Sequence, residues 1–242
     1  MTPPIAAGGG TVIPNFGRGS SCVRENHTFC WNWVQDHWGD TLRPALVQHI
    51  VLALIALGIG FAISLACALF AHQRGWFERP FATVAGILYT IPSLALFQLL
   101  IPITGLSTNT VEIALVSYTL LILFRNILIG LRSVPEDTRE AARGMGLSPR
   151  QILWKVELPL AVPAIIAGLR VAAVTIISLA TIAAFVVDKG LGSPIFQALN
   201  QAVFKTELIA AGGLAVLLAL AADAILLLAQ RLLTPWVRLR NA

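Results

Sequence analysis

Long apolar runs alternate with short polar breaks along this chain. Mostly apolar stretches cover about 45–70, 81–103, 111–131, 160–187 and 208–233. A bilayer core about 30 Å thick needs about 20 such residues per helical crossing. Lipid offers an unpaired backbone no partner, so each run must be helical. The pattern predicts an all-α membrane protein with five transmembrane helices.

The breaks divide the chain. Residues 1–27 are rich in Gly and Pro and read as a loose tail, and MTPPIAAGGG lacks the basic and apolar regions of a cleavable signal peptide. FCWNWVQDHWGDTLRP sets Trp31, Trp33 and Trp38 among polar residues, a pattern that favours the headgroup level and predicts a short interfacial helix. Residues 1–44 are thus an N-terminal segment, 45–236 the transmembrane domain and 237–242 a tail. AHQRGWFERP at 71–80 and ITGLSTNT at 103–110 read as short turns, 188–207 as a longer, partly helical loop, and 132–159 as the largest loop.

Charge adds orientation. The net charge of +5 invites a nucleic-acid reading. With the N-terminus outside, however, ten of the Lys and Arg residues fall in inner segments and five in outer ones. Positive residues favour the cytoplasmic side. The expected topology is N-outside and C-inside, and no nucleic-acid partner is needed. Cys67 lies inside the first run and packs there. Cys22 and Cys30 precede it; they either close a small disulfide loop, if their segment faces an oxidising compartment, or stay separate thiols. The sequon at Asn26-His27-Thr28 reads as a chance match.

The largest loop carries the unusual chemistry. Pro135 followed by Glu136 and Asp137 is a helix start, with acids at the positive dipole end. Gly144 and Gly146 end that helix, and Ser148-Pro149 opens a second as N-cap and first residue. An outer face of Arg139, Glu140, Arg143 and small alanines suits either docking into a groove of another protein or a solvated connection.

The order E-A-A, three residues, G, nine residues, then I-x-L-P resembles the signature of ATP-binding-cassette importer permeases. Here it is Glu140-Ala141-Ala142, Gly146 and Val156-Glu157-Leu158-Pro159, with Val in place of Ile. YTIPSLALF at 89–97, RNILIGLRSVPEDTREAARGMGLS at 125–148, GLRVAAVTIISLATIAAF at 168–185 and the GLG of 190–192 resemble the branch that carries glycine betaine, carnitine and choline. The likeness covers roughly 30–236, and departs at Val187-Asp188-Lys189, where the family often has a small, glycine-rich stretch. The small five-span core also resembles methionine-type permeases.

The resemblance implies a type I importer fold in a bacterial plasma membrane. It makes the 136–147 helix a coupling helix seated in a cytoplasmic ATPase, through Glu140, Ala141, Ala142, Arg143, Gly146 and Pro159. It implies a second permease copy or homologue and an external substrate-binding protein. The chain itself would be a translocation subunit rather than an enzyme, with ATP and Mg bound by the partner ATPase. No G-x-x-x-x-G-K-[ST], G-x-S-x-G, H-E-x-x-H or Cys-x-x-Cys occurs, and His27, His37, His49 and His72 are scattered, so no hydrolase or metal site is expected. A self-sufficient secondary transporter or channel is the alternative, and it gives the 140–159 segment no purpose.

Polar residues inside the runs are the candidate path. Arg125, Arg170 and Asp223 lie about 10, 16 and 12 Å from the cytoplasmic end at ~1.5 Å per residue. Charges there are expensive and paired or functional. Asp223 is expected to pair with Arg170 or Arg125, either as a structural tie or as a gate. Tyr89, Thr90, Pro92 and Ser93 sit midway along the second run. Pro92 frees a carbonyl and bends the helix, and the hydroxyls either line a path or bond the preceding turn. Phe97 and Phe185 are expected to pack. A quaternary ammonium is normally held by aromatic rings. The runs show no dense aromatic cage, which suits a conduit served by a separate binding protein.

Overall fold

The computed structural model describes residues 20–201 and 203–235. Most of the expected 1–27 tail, all of the 237–242 tail, and Arg18, Arg238 and Arg240 lie outside them. Among the described residues every regular element is helical. Short helices α1 (Ser21–Arg24) and α2 (Trp31–Asp36) lead through a π turn, Trp38–Leu42, into α3 (Arg43–Gln73). Next come α4 (Glu78–Thr90), α5 (Ser93–Thr104), α6 (Thr108–Arg132), α7 (Glu136–Gly144) and α8 (Pro149–Ile152). A second π turn, Leu153–Glu157, joins α8 to α9 (Leu158–Ile182), and α10 (Gly192–Asn200) and α11 (Lys205–Leu233) follow.

Among the described residues four helical runs are long and apolar enough to cross a bilayer: Trp38–Gln73, Thr108–Arg132, Pro149–Phe185 and Lys205–Leu233. The first starts earlier than residue 45, because the tryptophan-rich segment winds directly into α3. The run Pro149–Phe185, the fourth crossing in chain order once the broken α4–α5 crossing is counted, starts before residue 160, because 149–157 is its opening turns. The loop expected over 132–159 therefore ends at Ser148, and the second arm of the expected hairpin is part of a crossing. Pro159 sits in the first turn of α9. It lacks an N–H and crowds the carbonyl four residues back, and the π turn just before it relieves both.

The expected single span over 81–103 is two helices bent by 102° at Ile91-Pro92. A residue before proline disfavours the helical region, and Ile91 is extended at φ −66° and ψ 128°. Its freed carbonyl accepts the Tyr118 hydroxyl of α6. The pair still crosses. Arg132 at the end of α6 holds Glu78 at the start of α4, at 3.0 and 2.5 Å. Thr104 at the end of α5 meets Thr110 at the start of α6, 2.7 Å between hydroxyls. α4 and α5 are therefore tied to both ends of α6 and form a fifth, broken crossing.

α6 is the hub, packed against α3, α4, α5 and α9, while α11 packs on α9. The two largest apolar clusters among the described residues form two lobes of the core. One gathers Leu52, Phe97, Leu115, Tyr118 and Ile176; the other gathers Leu123, Phe124, Ile127, Leu131 and Ile165. α3 is apolar all round, and its buried side is chosen by size: Ala45, His49, Leu52, Ala56, Gly60, Ser64, Ala68 and Ala71. Small residues of this kind let helices approach closely in lipid. A Cβ on Gly60 would fall 1.8 Å from Thr119 Oγ1, whereas one on Gly58 would meet nothing within 4 Å. Thr119 is fully buried and its hydroxyl already donates to Val116 O, so it has no free retreat. Gly60→Ala should cost about 1–3 kcal/mol by overpacking and lower the melting temperature in detergent by several degrees. Gly58→Ala should leave it unchanged.

Candidate functional site

The α7 end of the bundle is built by local rules. Pro135 precedes α7, and Glu136 and Asp137 occupy its first turn. The helix closes through a complete Schellman pair, Gly146 N–H to Arg143 O at 2.9 Å and Leu147 N–H to Ala142 O at 3.2 Å. That closure needs the left-handed φ of +81° at Gly146. Ser148 and Gln151 then form a reciprocal capping box for α8.

α7 has two faces, and they differ from the expected assignment. Glu140, Ala141 and Arg143 are exposed, but Ala142 is buried and Arg139 points inward. Arg139 Nε donates to Glu157 Oε1 at 2.6 Å, and its Nη2 donates to Leu131 O at 2.9 Å. Its Nη1 and the Nη1 of Arg143 hold Glu136, at 3.1 and 2.9 Å. His72 Nε2, at the end of α3, donates to Glu157 Oε2 at 2.9 Å. A cavity of about 720 Å³ opens beside this network, lined by His72, Arg139, Arg143, Ser148, Arg150 and Glu157 among others. The two arginine hydrogen bonds hold the Glu136 carboxyl below its ordinary range.

In mid-bundle, Arg170 and Asp223 form a fork, Nε to Oδ1 at 2.7 Å and Nη2 to Oδ2 at 2.9 Å. It ties α9 to α11. Arg125 takes no part: it is exposed on α6 and makes no hydrogen bond or ion pair among the described residues. At the broken crossing Tyr89 is exposed and stands edge-on to Tyr118, 6.0 Å between centroids. Thr90 donates back to Ile87 O at 2.8 Å, and Pro92 and Ser93 open α5. Phe97 is fully buried. Phe185 is exposed and leans on Phe196, 3.9 Å between centroids.

The opposite end is stitched together by polar contacts. Cys22 and Cys30 are joined in a disulfide. Asn26 receives Lys205 N–H at 3.0 Å and donates to Val203 O at 3.0 Å, so the sequon side chain is already committed. The loop before α10 is held by α3. Gly190 N–H donates to Gln48 Oε1 at 3.1 Å, and Leu191 N–H donates to His49 Nδ1 at 3.2 Å. His49 must then carry its proton on Nε2, which donates to Ile177 O at 3.0 Å. Lys189 reaches Thr108 Oγ1 at 2.9 Å.

Several of these residues were not singled out in the sequence. Glu157 hides in the V-E-L-P end of a motif read for its other positions. His49 and His72 look scattered because their partners lie far along the chain. Glu112, one turn into α6, has both carboxylate oxygens buried with no partner among the described residues.

The described residues form a bundle of five crossings, one of them broken, with a capped helix presented at one end. The fold aligns with an inward-facing structure of the MetNI methionine ABC transporter at a TM-score of 0.65. That alignment is 23% identical and covers 76% of this chain and 94% of that one. Residues 42–239 match the binding-protein-dependent transport system inner membrane components, and the chain belongs to that family. It is 36% identical to the choline transport system permease protein OpuBB of Bacillus subtilis, over 84% of this chain and 93% of that protein. It is 34% identical to the glycine betaine/carnitine/choline permease OpuCB of the same organism, over 78% and 86%.

Two outcomes follow from the ion pairs. Asp223→Asn leaves the Arg170 guanidinium uncompensated among apolar helices and should lower the melting temperature in detergent by several degrees. The exchange Arg170→Asp with Asp223→Arg should recover most of the loss. Glu136 behaves differently. Its folded pKa lies below the ordinary 4.5, so its contribution is complete above 4.5 and lost as pH falls through the depressed value. The stability gap between wild type and Glu136→Gln should therefore be open at neutral pH and close below about 4.5, read from melting temperatures across pH.

Proposed function

We propose that this chain is the translocation subunit of an ATP-driven, binding-protein-dependent importer for quaternary ammonium compatible solutes such as glycine betaine, carnitine and choline. The observation that carries the substrate class is the likeness, along most of both chains, to permeases named for those solutes.

The α7 end faces the cytoplasm in this reading. Eight Lys and Arg residues among those described lie at that end and four at the other, the asymmetry expected of the cytoplasmic side. The disulfide at the opposite end suits an oxidising exterior. Two copies of the permease, or one with a homologue, enclose the path, since five crossings are few for a hydrophilic conduit. Two ATPases seat the exposed face of α7, around Glu140, Ala141 and Arg143. ATP and Mg act on those subunits. Their closure displaces α7 and opens the path alternately to each side. A separate external protein selects the solute and delivers it to the disulfide end.

The test is uptake of labelled glycine betaine, choline, carnitine and methionine. Cells lacking their own importers are supplied with this permease, its ATPase and its binding protein. Betaine-class uptake is expected, and Glu140→Arg should lower it about tenfold or more, the effect of losing a contact worth about 1.4 kcal/mol. Uptake of methionine alone would replace the solute class. Uptake that ignores Glu140→Arg, or that needs no ATPase, would overturn the mechanism.

A further inference from the structure

Glu157 is a charged side chain that the fold buries, with 6% exposure, at the end of the π turn that opens the fourth crossing. Burying a carboxylate is unfavourable unless it is paired and hydrogen-bonded. Here both oxygens are engaged, and by different elements. Arg139 reaches it from the inner face of α7 at 2.6 Å, and His72 from the last turn of α3 at 2.9 Å. The same Arg139 also grips Leu131 O in the last turn of α6 at 2.9 Å. One carboxylate and one guanidinium thus join α7 to the ends of three crossings.

The covalent links to α7 do not do this. Ser133–Pro135 and Met145–Leu147 are short irregular connections, the second turning through the left-handed Gly146. On those links alone α7 can pivot without carrying the crossings along. The π turn adds a place for the response. Its wider turn interrupts the regular bond ladder of the fourth crossing beside Glu157, and such turns recur at functional sites.

We infer that Glu157 is a positioning residue for transport: through Arg139 and His72 it makes α7 and the cytoplasmic ends of α3, α6 and α9 move as one body. The inference rests on the reading that α7 is the helix an ATPase displaces. A residue of this kind touches neither solute nor ATP. Its loss separates hydrolysis from transport, which a merely stabilising contact would not do.

The test uses the full complex of permease, ATPase and binding protein in proteoliposomes, with ATP hydrolysis and solute uptake read in one sample and normalised to permease content. Glu157→Gln keeps the shape and removes the charge. It should hydrolyse ATP within about twofold of wild type while uptake per ATP falls about tenfold, within the range of coupling energies carried by such networks. His72→Leu should lose uptake per ATP by severalfold, and His72→Gln, which keeps a donor, should regain most of it. These two variants decide the matter if Glu157→Gln does not reach the membrane. Unchanged uptake per ATP in Glu157→Gln, or in His72→Leu, overturns the inference alone, provided the wild type is coupled. A wild-type chain that carries solute with no ATPase present overturns the functional reading and the inference together.

Discussion

At its centre, a helix backbone meets a side chain of a neighbouring helix at a distance only a hydrogen atom allows. Gly60 of α3 lies against Thr119 of α6, where any Cβ would fall 1.8 Å from a hydroxyl. Gly168 of α9 meets Asn126 the same way, and Gly130 of α6 meets Ala161 and Ala164. In lipid there is no hydrophobic drive to bring helices together, so shape must do it. A contact this close gains dispersion over many atoms and has no slack. α3, α6 and α9 consequently behave as a rigid unit, and motion must be taken up at their ends or in the fifth crossing.

That crossing is suited to it. α4 and α5 meet at 102°, and the freed Ile91 carbonyl at the corner is answered from α6 by Tyr118. The corner thus holds together without a helical bond. The two lobes of the core lie on either side of it. The lobe around Phe124 and Leu131 lies nearer α7 and the lobe around Phe97 and Leu115 farther from it, and both are built on α6.

Much of this was legible in the sequence, and the gaps have physical reasons. Length and apolarity fixed which residues cross, because lipid permits little else. Cap chemistry located the ends of α7, because Gly146 and Ser148 act over a few residues. Two features were not legible. Apolarity cannot show which side of α3 is buried, since Ala, Gly and Ser mark that side by size. The inward turn of Arg139 and Ala142 depends on Glu157 and His72, which no local rule connects to α7. The boundary of the fourth crossing slipped for a related reason: a π turn absorbs Pro159, so the proline that ends a motif does not end a helix.

Charge inside the bundle closes the reasoning. Arg170 and Asp223 satisfy each other through two parallel bonds, and this fork holds α11, whose buried residues all lie within its first eleven positions. Arg125 has no such partner among the described residues, at a comparable distance from the α7 end. A guanidinium cannot rest unpaired against acyl chains without water or an anion. α6 is wrapped by α3, α4, α5 and α9 along most of its circumference. At the level of Arg125 and Ile129, both exposed on α6, the helix therefore does not face lipid alone. Water or another polar group must reach that side of the central helix.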